Sequence, residues 1–182
     1  MENRLPLLVG RASAGCTFFT IDTNISITGS MIFVNNSVRN TYTKLRNFEC
    51  VIGGGGALFL QSNATVSGQM TFLGNHAKGS SLVPVGCGGQ FYAYGTNMII
   101  SGNLEFVDNI VDLSGGGMHM EAGQLYVEGT VSFIHNFGGG LGGGIRVVKL
   151  QPMFVTGFML LNDNHANTYD CKTPTGGSTG GG

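Results

Sequence analysis

Apolar and polar residues alternate in five short stretches of this chain, and a glycine interrupts each alternation midway. The apolar positions are Ile25, Ile27, Met31 and Phe33; Ala64, Val66, Met70 and Phe72; Met98, Ile100, Leu104 and Phe106; Leu125, Val127, Val131 and Phe133; and Met153, Val155, Met159 and Leu161. A period of two with β-branched and aromatic enrichment predicts strands rather than helices. The interrupting residues are Gly29, Gly68, Gly102, Gly129 and Gly157. Each is expected to let the backbone turn where a Cβ would be strained. Four residues after the glycine stands Phe33, Phe72, Phe106, Phe133 or Leu161, and three further on Asn36, Asn75, Asn109, Asn136 or Asn164. The spacing between matching glycines runs from 27 to 39 residues, the range of a repeat architecture.

A second block precedes the later strands: Gly54-Gly55-Gly56-Ala57-Leu58-Phe59, Gly88-Gly89-Gln90-Phe91-Tyr92, Gly115-Gly116-Gly117-Met118-His119-Met120 and Gly142-Gly143-Gly144-Ile145-Arg146-Val147. Its distance to the strand glycine is nearly constant and leaves room for one more short strand, so each unit is expected to hold three strands. One such unit buries nothing alone. Stacked at the 4.7–4.9 Å spacing of paired strands, like residues pile into columns. The expected fold is therefore all-β: a single-stranded parallel β-helix of about five coils over residues 14–182, with a lead-in over 1–13. Right-handed crossover is the general rule for parallel strands. The phenylalanines would fill one interior column, and the asparagines a corner column hydrogen-bonded along the axis.

Length varies between units at one place, after the corner asparagine. The insertions Ser37 to Ile52, His76 to Gly86 and His165 to Thr179 therefore leave one edge, where binding concentrates on repeat scaffolds. Arg39, Tyr42, Lys44, Arg46 and Lys78 are the candidate contact residues of the first two. The terminal Gly180-Gly181-Gly182 repeats the triplet that opens earlier units, as in a piece of a longer array. An open last coil would leave unpaired backbone, a route to end-to-end association.

Composition narrows the partners. The 182 residues carry 9 Lys and Arg against 10 Asp and Glu, so phosphate neutralisation has no basic surplus to draw on and nucleic-acid binding is not expected. Thirty-two glycines without a Gly-X-Y period exclude collagen, and 42% hydrophobic residues exclude a disordered linker. No long apolar run suggests a membrane helix. Met1 to Val9 makes a poor signal peptide, since Pro6 breaks it and Gly10-Arg11 follows. Cys16, Cys50, Cys87 and Cys171 lack zinc or redox spacing. Cys50 and Cys87 could bridge across one unit, while buried thiols are the plainer account.

Gly55-Gly56-Ala57-Leu58 together with Phe-x-x-Asn at Phe33/Asn36, Phe72/Asn75, Phe106/Asn109 and Phe133/Asn136 resembles the repeat of chlamydial polymorphic outer membrane proteins. The resemblance implies a secreted or surface-exposed β-helix passenger acting as a non-enzymatic adhesin toward a host or neighbouring cell-surface protein or glycan, without cofactor or metal. Membrane attachment would come only through an autotransporter barrel that these residues do not encode. The chain departs from the family in having Gln90, Met118 or Ile145 where the strict motif has alanine.

Other parallel β-helices act on polysaccharides, so carboxylate groupings matter. Asp108, His135 and Asp163 occupy one motif position in three successive units and form the sole column worth testing as a triad, although solvent exposure is the plainer reading. Arg146 and Lys149 could suggest a basic patch for uronic acids but read more simply as exposed strand residues. His76 and His165 follow the corner asparagine and are expected to hydrogen-bond at the corner. Of Phe91, Tyr92 and Tyr94, alternation would expose one at most, to stack on a sugar, and core packing is the plainer reading. Asn24, Asn35 and Asn63 sit in glycosylation acceptor triplets. A spacer holding other domains from a membrane is a third reading.

Overall fold

The computed structural model describes residues 18–39, 51–52, 56–78, 86–87, 90–112, 115–140, 142–149 and 152–166. These contain strands and no helix, and every strand pairing is parallel. Each strand pairs with its counterpart in the preceding or following repeat, as the common pattern requires.

The first sheet is built from β1 (Phe18–Ile21), β2 (Asn24–Ile27), β6 (Ala57–Leu60), β7 (Asn63–Val66), β11 (Phe91–Ile100), β14 (Met118–Val127), β17 (Ile145–Val148) and β18 (Met153–Val155). The second runs β3 (Met31–Val34), β8 (Met70–Leu73), β12 (Leu104–Val107), β15 (Val131–Ile134) and β19 (Met159–Asn162). The third runs β4 (Ser37–Arg39), β9 (His76–Lys78), β13 (Ile110–Val111), β16 (Phe137–Gly138) and β20 (His165–Ala166). The chain visits first, second and third sheet in that order and then begins again. Between visits, β5 (Val51–Ile52) and β10 (Gly86–Cys87) pair with each other.

Three strands per repeat was an underestimate. The first-sheet visit consists of two segments, separate as β1 and β2 or β6 and β7, and fused in the ten-residue β11 and β14. The join has a cause in the backbone. Asp22, Gln61, Gly95, Ala122 and Lys149 all have positive φ, between 46° and 57°, and follow directly on the register Ile21, Leu60, Tyr94, Glu121, Val148. A second left-handed column is formed by Asn35, Gly74, Asp108, His135 and Asp163, each just before its corner asparagine.

The interrupting glycines need correction. Among them only Gly29 has a left-handed φ, of 118°. The other four are required by close approach: a Cβ at Gly68, Gly102, Gly129 or Gly157 would lie 2.6–2.8 Å from backbone of the glycine one repeat earlier. A column of any larger residue would force the repeats apart.

The core is the column structure itself. Phe33, Phe72, Phe106 and Phe133 stack with ring centroids 4.7, 4.8 and 4.9 Å apart and planes within 9° of parallel. Around them pack Phe59, Phe91, Met98, Ile100, Met118, Met120, Leu125 and Val127. Leu161 is in register with Phe133 but is 47% exposed, so the last member of the expected interior column is not interior.

Candidate functional site

The corner asparagines are buried donors and acceptors rather than a ligand site. Asn109 shows the pattern: its backbone N–H and Nδ2 both donate to Asn136 Oδ1, at 3.2 and 2.9 Å, and Nδ2 also donates to the Phe72 carbonyl at 2.9 Å. Asn75 and Asn136 repeat it, and Asn36 donates in the same way to Asn75 Oδ1. The side chain thus saturates a turn whose peptide groups would otherwise be orphaned.

One residue earlier, the side chains leave the corner into solvent and still touch. His135 Nδ1 lies 3.4 Å from Asp108 Oδ1, and its Nε2 lies 3.7 Å from Asp163 Oδ2. Asp163 Oδ1 is 2.9 Å from His165 Nε2. The three expected residues are therefore brought together, with His165 as a fourth, and all four side chains are more than half exposed. His76 Nε2 similarly faces Asp112 Oδ1 at 3.5 Å. The imidazoles of His76 and His165 thus meet carboxylates instead of corner backbone, which corrects the expectation for both. Their main-chain N–H groups do bond across the corner, to the carbonyls of Asn36 and Asn136.

The composition of that outer column has a conformational cause. Asn, Asp, His and Gly are the residues that best tolerate left-handed backbone, and Asn35, Gly74, Asp108, His135 and Asp163 all adopt it. An Asp–His–Asp sequence along the column follows from the φ requirement without any catalytic need. Chemically it is an imidazole between two carboxylates. Among the described residues no group of three or more His, Cys, Asp or Glu side chains is arranged to hold a metal ion.

The insertion edge is framed by paired strands on both sides. Arg39 is in register with Lys78 where the first two insertions leave, and Val51 and Ile52 with Gly86 and Cys87 where they return. Two cationic residues therefore start the two loops at neighbouring backbone positions, one strand spacing apart. Tyr42, Lys44 and Arg46 lie outside the described residues, as do Cys16, Cys50 and Cys171. Of the three glycosylation triplets, Asn24 and Asn63 belong to an exposed amide ladder with Asn97, with Nδ2 to Oδ1 distances of 2.9 and 3.0 Å.

A third cluster escaped the sequence reading. Tyr92, His119 and Arg146 stand at one register position on β11, β14 and β17. Tyr92 and His119 meet edge to face with centroids 5.1 Å apart, and Arg146 Nη1 is 2.9 Å from His119 Nε2. Arg146 is accordingly a partner for a buried ring rather than a free strand cation, and Lys149 occupies the left-handed join. Phe91 and Tyr92 are both buried and Tyr94 is half-buried, within the expectation that one of the three at most is exposed. Burial, then the Arg146 charge, hold the His119 pKa down to about 3. Burial, with the neighbouring Glu121 carboxylate, pushes the Tyr92 phenol well above its ordinary range. The signal was available: each of the three residues comes two after Gln90, Gly117 or Gly144, the third residue of its glycine-rich block.

No family model, curated protein or solved structure matches this chain. The likeness to the polymorphic outer membrane repeat therefore stands on the residues that carry it.

Proposed function

We propose that the chain is a parallel β-helix of about five coils that serves as a non-enzymatic recognition scaffold on a cell surface or outside the cell. Rotation of the chain through three parallel sheets, residue over residue, supports the coil reading. One observation carries the recognition reading: the insertions after Arg39 and Lys78 leave from one strand pair and return to another, so both begin and both end at neighbouring backbone positions on one edge. The partner would be a host or neighbouring cell-surface protein or glycan, met by Arg39, Tyr42, Lys44, Arg46 and Lys78. Replacing residues 40–50 and 79–85 with short glycine-serine links should abolish binding of the purified chain to cells while leaving its far-ultraviolet circular dichroism unchanged. Undiminished cell binding by that variant would sink the reading.

A second reading is favoured by the contact of His135 with Asp108 and Asp163. An imidazole between two carboxylates could serve acid–base cleavage of an acidic polysaccharide. Depolymerisation of polyuronate by the chain, lost in Asp108→Asn and Asp163→Asn, would replace the scaffold reading with this one.

A further inference from the structure

Beyond the left-handed join, the second halves of the first-sheet visits pair strand by strand, from β2 through β7, β11 and β14 to β18. Half of their side chains point into the core, and the alternate ones form two outward rows. The rows lie two residues apart, about 6.5 Å along the strands. One is the exposed amide ladder that includes Asn63 and Asn97, continued in register by Gln124. The other contains Ile99, Tyr126 and Phe154 in register on three neighbouring strands, 46%, 36% and 58% exposed. Neither row holds a charged residue, and the carboxylates of Glu121 and Glu128 bracket the rows along the chain.

The amides are held in place before any ligand arrives. Asn63 Nδ2 donates to Asn24 Oδ1 at 2.9 Å, and Asn97 Nδ2 to Asn63 Oδ1 at 3.0 Å. Each bond uses one of the two Nδ2 hydrogens and one of the two Oδ1 lone pairs. Every amide in the ladder therefore keeps a donor and an acceptor for solvent, repeated at the 4.7–4.9 Å strand spacing. Side chains already ordered lose little entropy when they are bound. Tyr126 and Phe154 add exposed rings in the neighbouring row, large contact areas with few rotatable bonds.

We infer that this face binds an uncharged, extended polysaccharide lying along the stack, with sugar faces on Tyr126 and Phe154 and sugar edges on Asn97 and Gln124. A pyranose carries C–H groups on its faces and hydroxyl or acetamido groups around its rim. It therefore needs an apolar row beside a row of donors and acceptors, which is the pairing on this face. An extended β-linked chain advances by close to one strand spacing per sugar, so successive sugars meet successive amides. The charge pattern selects against anionic ligands: the rows offer them no cation, and Glu121 and Glu128 repel them. A purely apolar ligand would leave the free amide donors and acceptors unpaired. The inference rests on the strand register and not on the loop reading, because the loops leave from the third sheet.

Isothermal titration calorimetry of the full chain with cellohexaose and with chitohexaose tests it. At least one hexasaccharide should bind, with an affinity that high salt leaves unchanged. Tyr126→Ala and Phe154→Ala should each weaken binding at least about tenfold, with thermal melts establishing that both variants are folded. Tyr126→Phe should retain the affinity and Tyr126→Leu should lose it, which separates ring stacking from mere apolar contact. Ile32→Ala, at an exposed position of the second sheet, should change nothing. Failure of both hexasaccharides to bind overturns the inference, as does equal or tighter binding of polygalacturonate or an affinity untouched by Tyr126→Ala. Flotation with phosphatidylcholine vesicles, or self-association, that Tyr126→Ala abolishes while neither sugar binds would give the face to lipid or to a second copy instead. Hexasaccharide binding that survives replacement of residues 40–50 and 79–85 separates this result from the fate of the loop reading, whereas its loss there would move the sugar site to the loops and overturn the inference.

Discussion

Asn109 and Asp108 are adjacent in the chain and sit in columns that obey different rules. The inner column is asparagine five times, and its three central members are fully buried. The outer column reads Asn35, Gly74, Asp108, His135 and Asp163, with left-handed backbone at every position. The inner position needs one particular side chain, because the carboxamide donates and accepts at once in a place water cannot reach. The outer position constrains φ and leaves the side chain to solvent. Repetition of identity therefore marks a buried hydrogen-bonding role, while repetition of a mere residue class marks a backbone conformation.

The buried His119 ring gives the largest expected effect. His119 has a folded pKa of about 3, against about 6.5 for an unperturbed imidazole. The depressed value means that the unfolded chain takes up the proton first. Above about pH 6.5 both states hold a neutral ring and this group adds no pH dependence. As pH falls from there to about 3, stability is lost, by up to about 4–5 kcal/mol. Urea midpoints measured at pH 7.5 and pH 4 should therefore fall further for the native chain than for His119→Gln, which keeps an acceptor for Arg146. Equal pH slopes for native chain and His119→Gln would show that the ring is solvated.

The stacked rings come next. Phe106 lies between Phe72 and Phe133 at 4.8 and 4.9 Å and is fully buried, so Phe106→Ala should cost about 3–5 kcal/mol in transfer and cavity terms. Leu161→Ala, at the exposed end of the same column, should cost under about 1 kcal/mol in the monomer. Chemical denaturation at submicromolar concentration measures both without contribution from association. Comparable losses at the two positions would mean that the end is covered in solution.

The inner and outer corner columns can be compared directly. Asn109→Leu strands the N–H and Nδ2 of Asn75 and the carbonyl of Phe72 in a buried corner, and a loss of about 2–4 kcal/mol is expected. Asp108→Asn keeps a residue suited to left-handed backbone and should change stability by no more than about 0.5 kcal/mol. If Asp108→Asn were the more damaging of the two, the outer column would hold something beyond a backbone conformation.

Legibility followed the same division. Strand type, stacking direction and the phenylalanine and asparagine columns could be read because period two and a fixed glycine offset report buried positions. The role of Gly68, Gly102, Gly129 and Gly157 could not, since a glycine required for space looks the same in sequence as one required for φ. The Asp108–His135–Asp163 grouping was found by aligning motifs, but its conformational origin becomes visible only with the dihedrals. Tyr92, His119 and Arg146 went unnoticed because their residue types differ. A column of unlike residues leaves no repeated letter, although the glycine-block alignment places all three at one offset. The two-segment first-sheet visit was missed for the opposite reason: left-handed joins at Gln61, Ala122 and Lys149 use residues that carry no turn signature.

Ala122 offers the smallest and most selective test of that last point. It has φ of 49° in the join column, where the neighbouring repeat has Gly95 at 57°. A left-handed L-residue with a Cβ costs roughly 1–2 kcal/mol, and glycine removes the cost while adding flexibility to the unfolded chain. The balance predicts that Ala122→Gly stabilises the protein by about 0.5–1 kcal/mol, an increase that thermal and urea unfolding can both resolve. The reverse change, Gly95→Ala, should destabilise by a similar amount, because the nearest atom to its added Cβ is 3.5 Å away and only the backbone conformation resists it. Gly123→Ala makes the contrasting control. Its Cβ would collide with the Thr96 backbone, so the loss there should exceed that at Gly95 severalfold. Should Ala122→Gly destabilise instead, the join would not be left-handed in solution, and the continuous ten-residue strand on which Tyr94, Glu121 and their neighbours are aligned would have to be redrawn.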